Sequence, residues 1–295
     1  MDRSISLIKI FIQISDFVKS YFEKNPYQSN FSPNQNYFYT EEVISVYIFG
    51  IQFGLLSVKE IHSYICEHFR DWFPKIPEYQ AFNYRLNRSA EIFVEFSKQL
   101  ISNAEKTTDM KELIESIDSM PIVVSKKTRK KSKIKKDAKL NNGYCSSKKL
   151  HFYGAKLHFV IVNQESSLGK PFTFEVTPAA PHDLTVAKTM TDQFKDCTLI
   201  GDKAYISQEF SDKLLKNNVK LVNPIKLSKN KKEYSENENL FNKLVSSRRQ
   251  SIEIFFAWII QKTKIQKASL IRSISGFTFF VHSRIALALM LLQKV

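Results

Sequence analysis

The hydrophobic period of this chain changes near residue 110, and that change limits the fold more than any single motif does. Before it, apolar residues recur at helical spacing, as in Phe11, Ile14, Phe17, Val18 and Phe22. After it, short β-forming runs alternate with helix-like segments. Strands are expected over Leu113 to Ser119, His151 to Val162, Pro171 to Thr177, Cys197 to Ile200 and Lys220 to Ile225. Helices are expected from Asp183, as N-cap, to about Phe194, from Ser207 to about Asn217, and around Glu253, after a polar stretch at 229–242. That order describes an α/β layered domain at 109–295, preceded by a small helical domain at 1–108.

Within the helical part, Thr40-Glu41-Glu42 opens one helix and Ser57-Val58-Lys59-Glu60 is a capping-box pattern that opens the next. Pro74 and Pro77 end it, and a further helix starts near Glu78. That helix carries Arg85 and Arg88. Two readings stand side by side: a helix-turn-helix-like DNA reader in which these arginines contact DNA, or a helical bundle with a solvated basic face.

The charge balance points to a polyanionic partner. Lys and Arg number 44 against 29 Asp and Glu, giving a net charge of +15. The segment 126–139 holds nine Lys/Arg and one Asp; Lys126, Lys127, Arg129, Lys130 and Lys131 are candidate contacts to a DNA backbone. Cys66, Cys145 and Cys197 make no zinc pattern with the six histidines, and His62 and Cys66 read as helix-packing residues. No signal peptide or bilayer-length apolar run is evident, so a cytoplasmic chain without membrane association is expected.

Three acidic residues stand where apolar segments end or a helix turns: Asp118, Asp202 in Gly201-Asp202-Lys203, and Glu253 in Arg249-Gln250-Ser251-Ile252-Glu253. Carboxylates fixed at strand ends meet with little reorganisation, and hard divalent cations prefer oxygen ligands. Three that converge can hold two such ions for phosphodiester chemistry. Arg249 lies one helical turn before Glu253; it either pairs with it or binds a DNA phosphate. Lys203 and Tyr205, just past Asp202, are candidate contacts to the strand being cut.

Several segments together resemble one family. They are Asp118-Ser119-Met120-Pro121, Gly143-Tyr144-Cys145-Ser146-Ser147-Lys148-Lys149, Phe152-Tyr153-Gly154-Ala155-Lys156-Leu157-His158, His182-Asp183, Gly201-Asp202-Lys203-Ala204-Tyr205 and the Arg249 to Glu253 run. With Tyr79 to Asn87, they are similar to bacterial insertion-sequence transposases of the acidic-triad (Asp-Asp-Glu) group, and most to the insertion-sequence 982 family. The resemblance implies an RNase H-like catalytic domain, a mixed sheet flanked by helices. It also implies a catalytic, metal-binding triad of Asp118, Asp202 and Glu253, with two Mg²⁺ or Mn²⁺ ions. Double-stranded DNA is the implied partner, as terminal inverted repeats and target, with a homodimer on DNA. Related transposases often carry a lysine seven residues after the glutamate and a tyrosine three before the arginine. Here those positions hold Ile260 and Ser246, with Lys262 nearby.

The function expected is therefore repeat binding, metal-dependent DNA cleavage and strand transfer. Two other readings remain: an RNase H-like nuclease that does not join strands, and a decayed transposase that binds DNA as a repressor.

Overall fold

The computed structural model describes residues 2–26, 37–105, 113–126, 134, 139–145, 149–164, 168–227 and 231–293. They fall into two compact units, Met1–Leu100 with Gln261–Val295, and Ile101–Ile260.

The first unit is helical. α1 (Arg3–Lys24) starts on Asp2, whose side chain accepts from the Ser4 N–H, and buries Leu7, Ile10, Ile14, Phe17 and Val18 along one face. That stripe packs against α2 (Thr40–Gln52), which is buried almost without break from Val43 to Ile51. The capping box at Ser57 and Glu60 forms, and α3 (Val58–His68) follows it. Next come α4 (Tyr79–Arg88) and α5 (Ala90–Glu105). His62 packs as a helix residue: its Nε2 lies 2.8 Å from the Pro77 carbonyl, and Cys66 stacks one turn away.

The last helix of the unit is α9 (Ile274–Leu292), apolar on all sides and buried over most of its length. By length and composition alone it is long enough to cross a bilayer, yet 72% of it is buried inside the protein, as a core helix is. Residues 261–295, grouped by sequence with the α/β part, thus pack among the helices instead. Their apolar surface needs partners on every side, and α2 and α4 supply them.

The second unit is a six-stranded mixed sheet with helices on both faces. β1 (Leu113–Lys126) pairs antiparallel with β3 (Leu150–Val162) along nearly its whole length. On its other side β1 pairs parallel with β5 (Cys197–Ile200), and β5 pairs parallel with β6 (Lys220–Val222). The free edge of β3 is shared by β2 (Asn141–Cys145) and β4 (Lys170–Pro178), each antiparallel to a different half of it.

Alternation along the strands assigns the two faces. Ile117, Val160 and Leu199 point to one face and meet α6 (Asp183–Thr189) and α7 (Gln208–Leu215) through Val186, Phe210 and Leu214. Phe159 points the opposite way and meets Phe255 and Phe256 of α8 (Glu236–Thr263), with ring centroids 5.0 Å and 6.4 Å away.

Several boundaries differ from the sequence reading. β1 continues through Pro121, because beyond Ser116 its β5 side has no strand partner and a missing N–H is tolerated at such an edge. His182, not Asp183, caps α6, with Nδ1 accepting from the Leu184 N–H. α8 begins well inside the polar stretch at 229–242, after which the helix had been expected to start. Ser235 and Glu238 form a reciprocal cap there: the Ser235 hydroxyl accepts from the Glu238 N–H, and the Glu238 carboxylate from the Ser235 N–H. β2 had not been anticipated.

Candidate active site

Strand register brings Asp118 and Asp202 together. The last parallel pair between β1 and β5 is Ser116 with Ile200. Asp118 and Asp202 each lie two residues further on, in the same direction, so both face the α8 side at the carboxyl end of β5. This is the crevice where open α/β sheets bind ligands.

Local backbone groups fix both carboxylates. Asp118 Oδ1 accepts from the Ser119 N–H at 2.8 Å. Asp202 caps a short 3-10 turn, Lys203–Tyr205; its Oδ1 accepts from the Ala204 N–H at 2.7 Å, and its carbonyl accepts from Asn223 Nδ2 at 2.9 Å.

α8 crosses this crevice and presents Arg249. One guanidinium nitrogen donates to Asp118 Oδ2 at 3.2 Å and lies 3.6 Å from Glu253 Oε1. Arg249 is thus a cationic bridge between the strand carboxylate and the helix carboxylate. Its Nε is buried with no hydrogen-bond partner. Glu253 is the most open of the three, with 60% of its side chain exposed.

Burial raises the Asp118 pKa to about 6; the Ser119 N–H and Arg249 oppose the rise, and the charges of Asp202 and Asp183 add to it. Beside these residues opens a cleft of about 880 Å³ lined by Asp202, Lys203, Tyr234, Asn242, Arg249, Gln250 and Glu253. A cleft of that size, walled by carboxylates, cations and amides, suits a polar, charged polymer better than an apolar ligand.

Those oxygens are hard donors of the kind Mg²⁺ and Mn²⁺ take, and a cationic group already sits between two of them. The donor set therefore fits a divalent cation. Among the described residues, however, no three His, Cys, Asp or Glu side chains lie close enough to hold one ion together. Glu253 is exposed and, among the described residues, paired with Arg249 alone; it is the carboxylate that would have to close in for the three to share an ion.

The other candidate residues have varied surroundings. Lys203 lies in the cleft, its Nζ 3.2 Å from the Tyr234 hydroxyl. Tyr205 is fully buried, which corrects the expectation of a strand contact: its ring belongs to the core under β1 and offers no surface to DNA. Arg85, on α4, stacks over Tyr37 at 4.4 Å and donates to the Phe38 carbonyl at 2.8 Å. Arg88 is exposed beside Tyr84, and Lys126 is exposed at the end of β1. Lys127, Arg129, Lys130 and Lys131 lie outside the described residues.

Two features fall within segments that carry the family resemblance. Lys156 of β3 pairs with Asp183 at 2.9 Å and donates to the Pro181 carbonyl, pinning the start of α6 to the sheet. Nearby, His158 is buried with Nε2 3.0 Å from the Thr177 hydroxyl, and burial lowers its pKa to about 4, so it is neutral.

A family model described as a transposase DDE domain matches residues 108–272, more than half of the chain. No curated protein matches. The match takes in the mixed sheet, the paired aspartates and the helix that carries Glu253. Transposases of this kind are nuclease-type enzymes of DNA transposition that normally use divalent metal ions. The chain belongs to the transposase DDE domain family.

Proposed function

We propose that this chain is the transposase of an insertion sequence of the insertion-sequence 982 type. It binds the terminal inverted repeats of its element, cuts DNA at the ends and joins them to target DNA. The observation that carries the reading is the meeting of Asp118 and Asp202 at the carboxyl end of the parallel β1–β5 pair, with Arg249 linking Asp118 to Glu253. The mixed sheet, antiparallel on one side of β1 and parallel on the other, with helices on both faces, supports an RNase H-like catalytic domain.

In this reading Asp118, Asp202 and Glu253 are the catalytic triad and would hold Mg²⁺ or Mn²⁺, two ions in all. Bound there, the ions supply Lewis-acid activation of the attacking and leaving oxygens. The protein's own groups do the rest. The Ser119 and Ala204 N–H groups fix the two aspartates in place. Arg249 holds negative charge on Asp118, which burial disfavours, and keeps Glu253 near it. Lys203 and the cleft beside it receive the phosphodiester strand.

Arg85 and Arg88 serve as DNA contacts of the helical part, and the basic segment from Lys126 as a DNA contact that sets affinity rather than sequence choice. The helical part takes the repeats, and a homodimer forms on paired ends, in the cytoplasm of a bacterial cell.

The test is a cleavage and joining assay with terminal-repeat DNA and Mg²⁺. Asp118→Asn, Asp202→Asn and Glu253→Gln are each expected to lower both products by at least about 10³-fold while DNA binding persists. Cleavage by Asp118→Asn at the wild-type rate would remove the triad assignment. Cuts without joined products would favour the non-joining nuclease.

A further inference from the structure

The helical unit holds a buried positive charge with no described counter-ion. Arg284, in the middle of α9, is only 1% exposed. One of its guanidinium nitrogens donates to the Tyr47 hydroxyl at 3.0 Å and to the Phe280 carbonyl at 3.2 Å, and the group lies 3.5 Å from the centre of the Phe280 ring. Its Nε has no partner, and no described carboxylate forms an ion pair with it. Guanidinium stays charged in a protein, and a buried charge without a counter-ion is costly, so its retention calls for a reason.

That reason lies on the other side of Tyr47. Tyr47 and Phe280 line a cavity of about 360 Å³ that is largely apolar, through residues such as Leu56 and Leu270, and that also takes in Lys59, Lys267 and Arg272. No Asp or Glu lines it. Glu60, next to Lys59 in sequence, spends its carboxylate on the Leu56 and Ser57 N–H groups that start α3.

Tyr47 is 2% exposed, and its oxygen accepts from Arg284. A phenol that accepts from a cation becomes a stronger donor. The cavity between α2, α3, α4, α9 and the segment before α9 therefore combines three lining cations, a buried phenol and a fourth cation behind that phenol. One nitrogen of the Arg272 guanidinium donates to the Ser269 and Ile271 carbonyls, at 2.9 and 3.2 Å, so a ligand would take its other N–H groups.

We propose that this cavity seats a phosphate of the DNA backbone, gripped by Lys59, Lys267 and Arg272 and bonded from within by the Tyr47 hydroxyl. The inference rests on DNA being the substrate of the enzyme. It adds a contact on the helical unit that is separate from Arg85, Arg88 and the acidic cleft. Because the ligand is backbone, the seat contributes affinity and salt dependence and is indifferent to sequence.

The test uses the full-length protein and fluorescence anisotropy with a labelled 30-base-pair duplex of arbitrary sequence, titrated at several salt concentrations. The triple variant Lys59→Ala, Lys267→Ala, Arg272→Ala is expected to bind about tenfold more weakly, with the slope of log K against log salt reduced by about 1. A charge-matched control, Lys9→Ala, Lys19→Ala, Lys24→Ala, is expected to change both far less. Equal losses in the two triples would overturn the seat and leave only a general field effect. Tyr47→Phe loses no charge; it is expected to weaken binding severalfold with the slope unchanged, and unaltered affinity would remove Tyr47 and Arg284 from the seat. A thermal-shift arm with inorganic phosphate against chloride at equal ionic strength separates the ligand sources. If phosphate stabilises wild type but not the triple variant, while duplex affinity is the same for both, the cavity takes a free anion and the DNA assignment falls. Failure of wild type to bind any duplex would defeat the proposed function as well, whereas normal wild-type binding with an unaffected triple variant would defeat the seat alone.

Discussion

Replacing Glu115 with glutamine should change how stability depends on pH, and by a calculable amount. Glu115 sits in β1 opposite Leu199 of β5, on the strand face that carries Ile117 into the core. It is 2% exposed, and its Oε2 has no hydrogen-bond partner. Burial raises its pKa to about 7, an interaction with the Cys197 thiol opposes the rise, and the same surroundings push Cys197 up to about 12. A carboxyl whose folded pKa exceeds its unfolded value keeps its proton longer in the native state. Its contribution is therefore fully present below the unfolded pKa and is lost as pH rises through the folded one. The ordinary value is 4.5, so the window runs from there to about 7. At about 1.4 kcal/mol per pKa unit, the wild type should lose roughly 2 to 3 kcal/mol from this group alone between pH 5 and pH 8. Glu115→Gln has nothing to titrate and should not show that loss. Urea unfolding of both proteins at the two pH values gives the double difference, in which other groups cancel. Parallel stability curves would show that the Glu115 pKa is not raised, and would refute the burial argument.

Two packing predictions test the scaffold that holds the aspartates. Gly154→Ala should cost about 1–3 kcal/mol or more in unfolding free energy, because its new Cβ would collide with the Ile122 carbonyl oxygen in the central β1–β3 ladder; a folded variant with less than about 1 kcal/mol lost would contradict that close approach. Phe255→Ala should cost about 3–5 kcal/mol, since the ring is fully buried against Phe159 at 5.0 Å. Its loss would loosen α8 over the sheet, so cleavage in the Mg²⁺ assay should fall more steeply with temperature than in wild type.

Much of the sheet was readable because its strands are rich in β-formers and bounded by turn residues. Phe159 to Val162, Cys197 to Ile200 and the Ser207 cap came through in this way. Asn141 to Cys145 did not, because β2 is polar and carries a glycine, and only its pairing with β3 makes it a strand. The start of α8 was hidden for a related reason. Asn and Glu dominate its first turns, and the capping pair Ser235 and Glu238 is a weaker signal than an apolar stripe. The placement of α9 was beyond local pattern altogether. Its apolar surface says that it must be buried, but not in which unit.

At the acidic site the limit is phase. Glu115 and Asp118 stand three residues apart on one strand, and nothing in their flanks tells them apart as buried acids. The pleat does: an odd separation sends them to opposite faces. Glu115 enters the core beside Cys197, where no cation can reach it without unpacking the sheet. Asp118 faces α8, where Arg249 meets it and where the parallel register sets Asp202 beside it. Sliding β5 by one residue against β1 would turn Asp202 to the other face and leave Asp118 alone with its arginine. The pairing of Ser116 with Ile200, neither of them acidic, is therefore what decides which of the chain's 29 acidic side chains can act together.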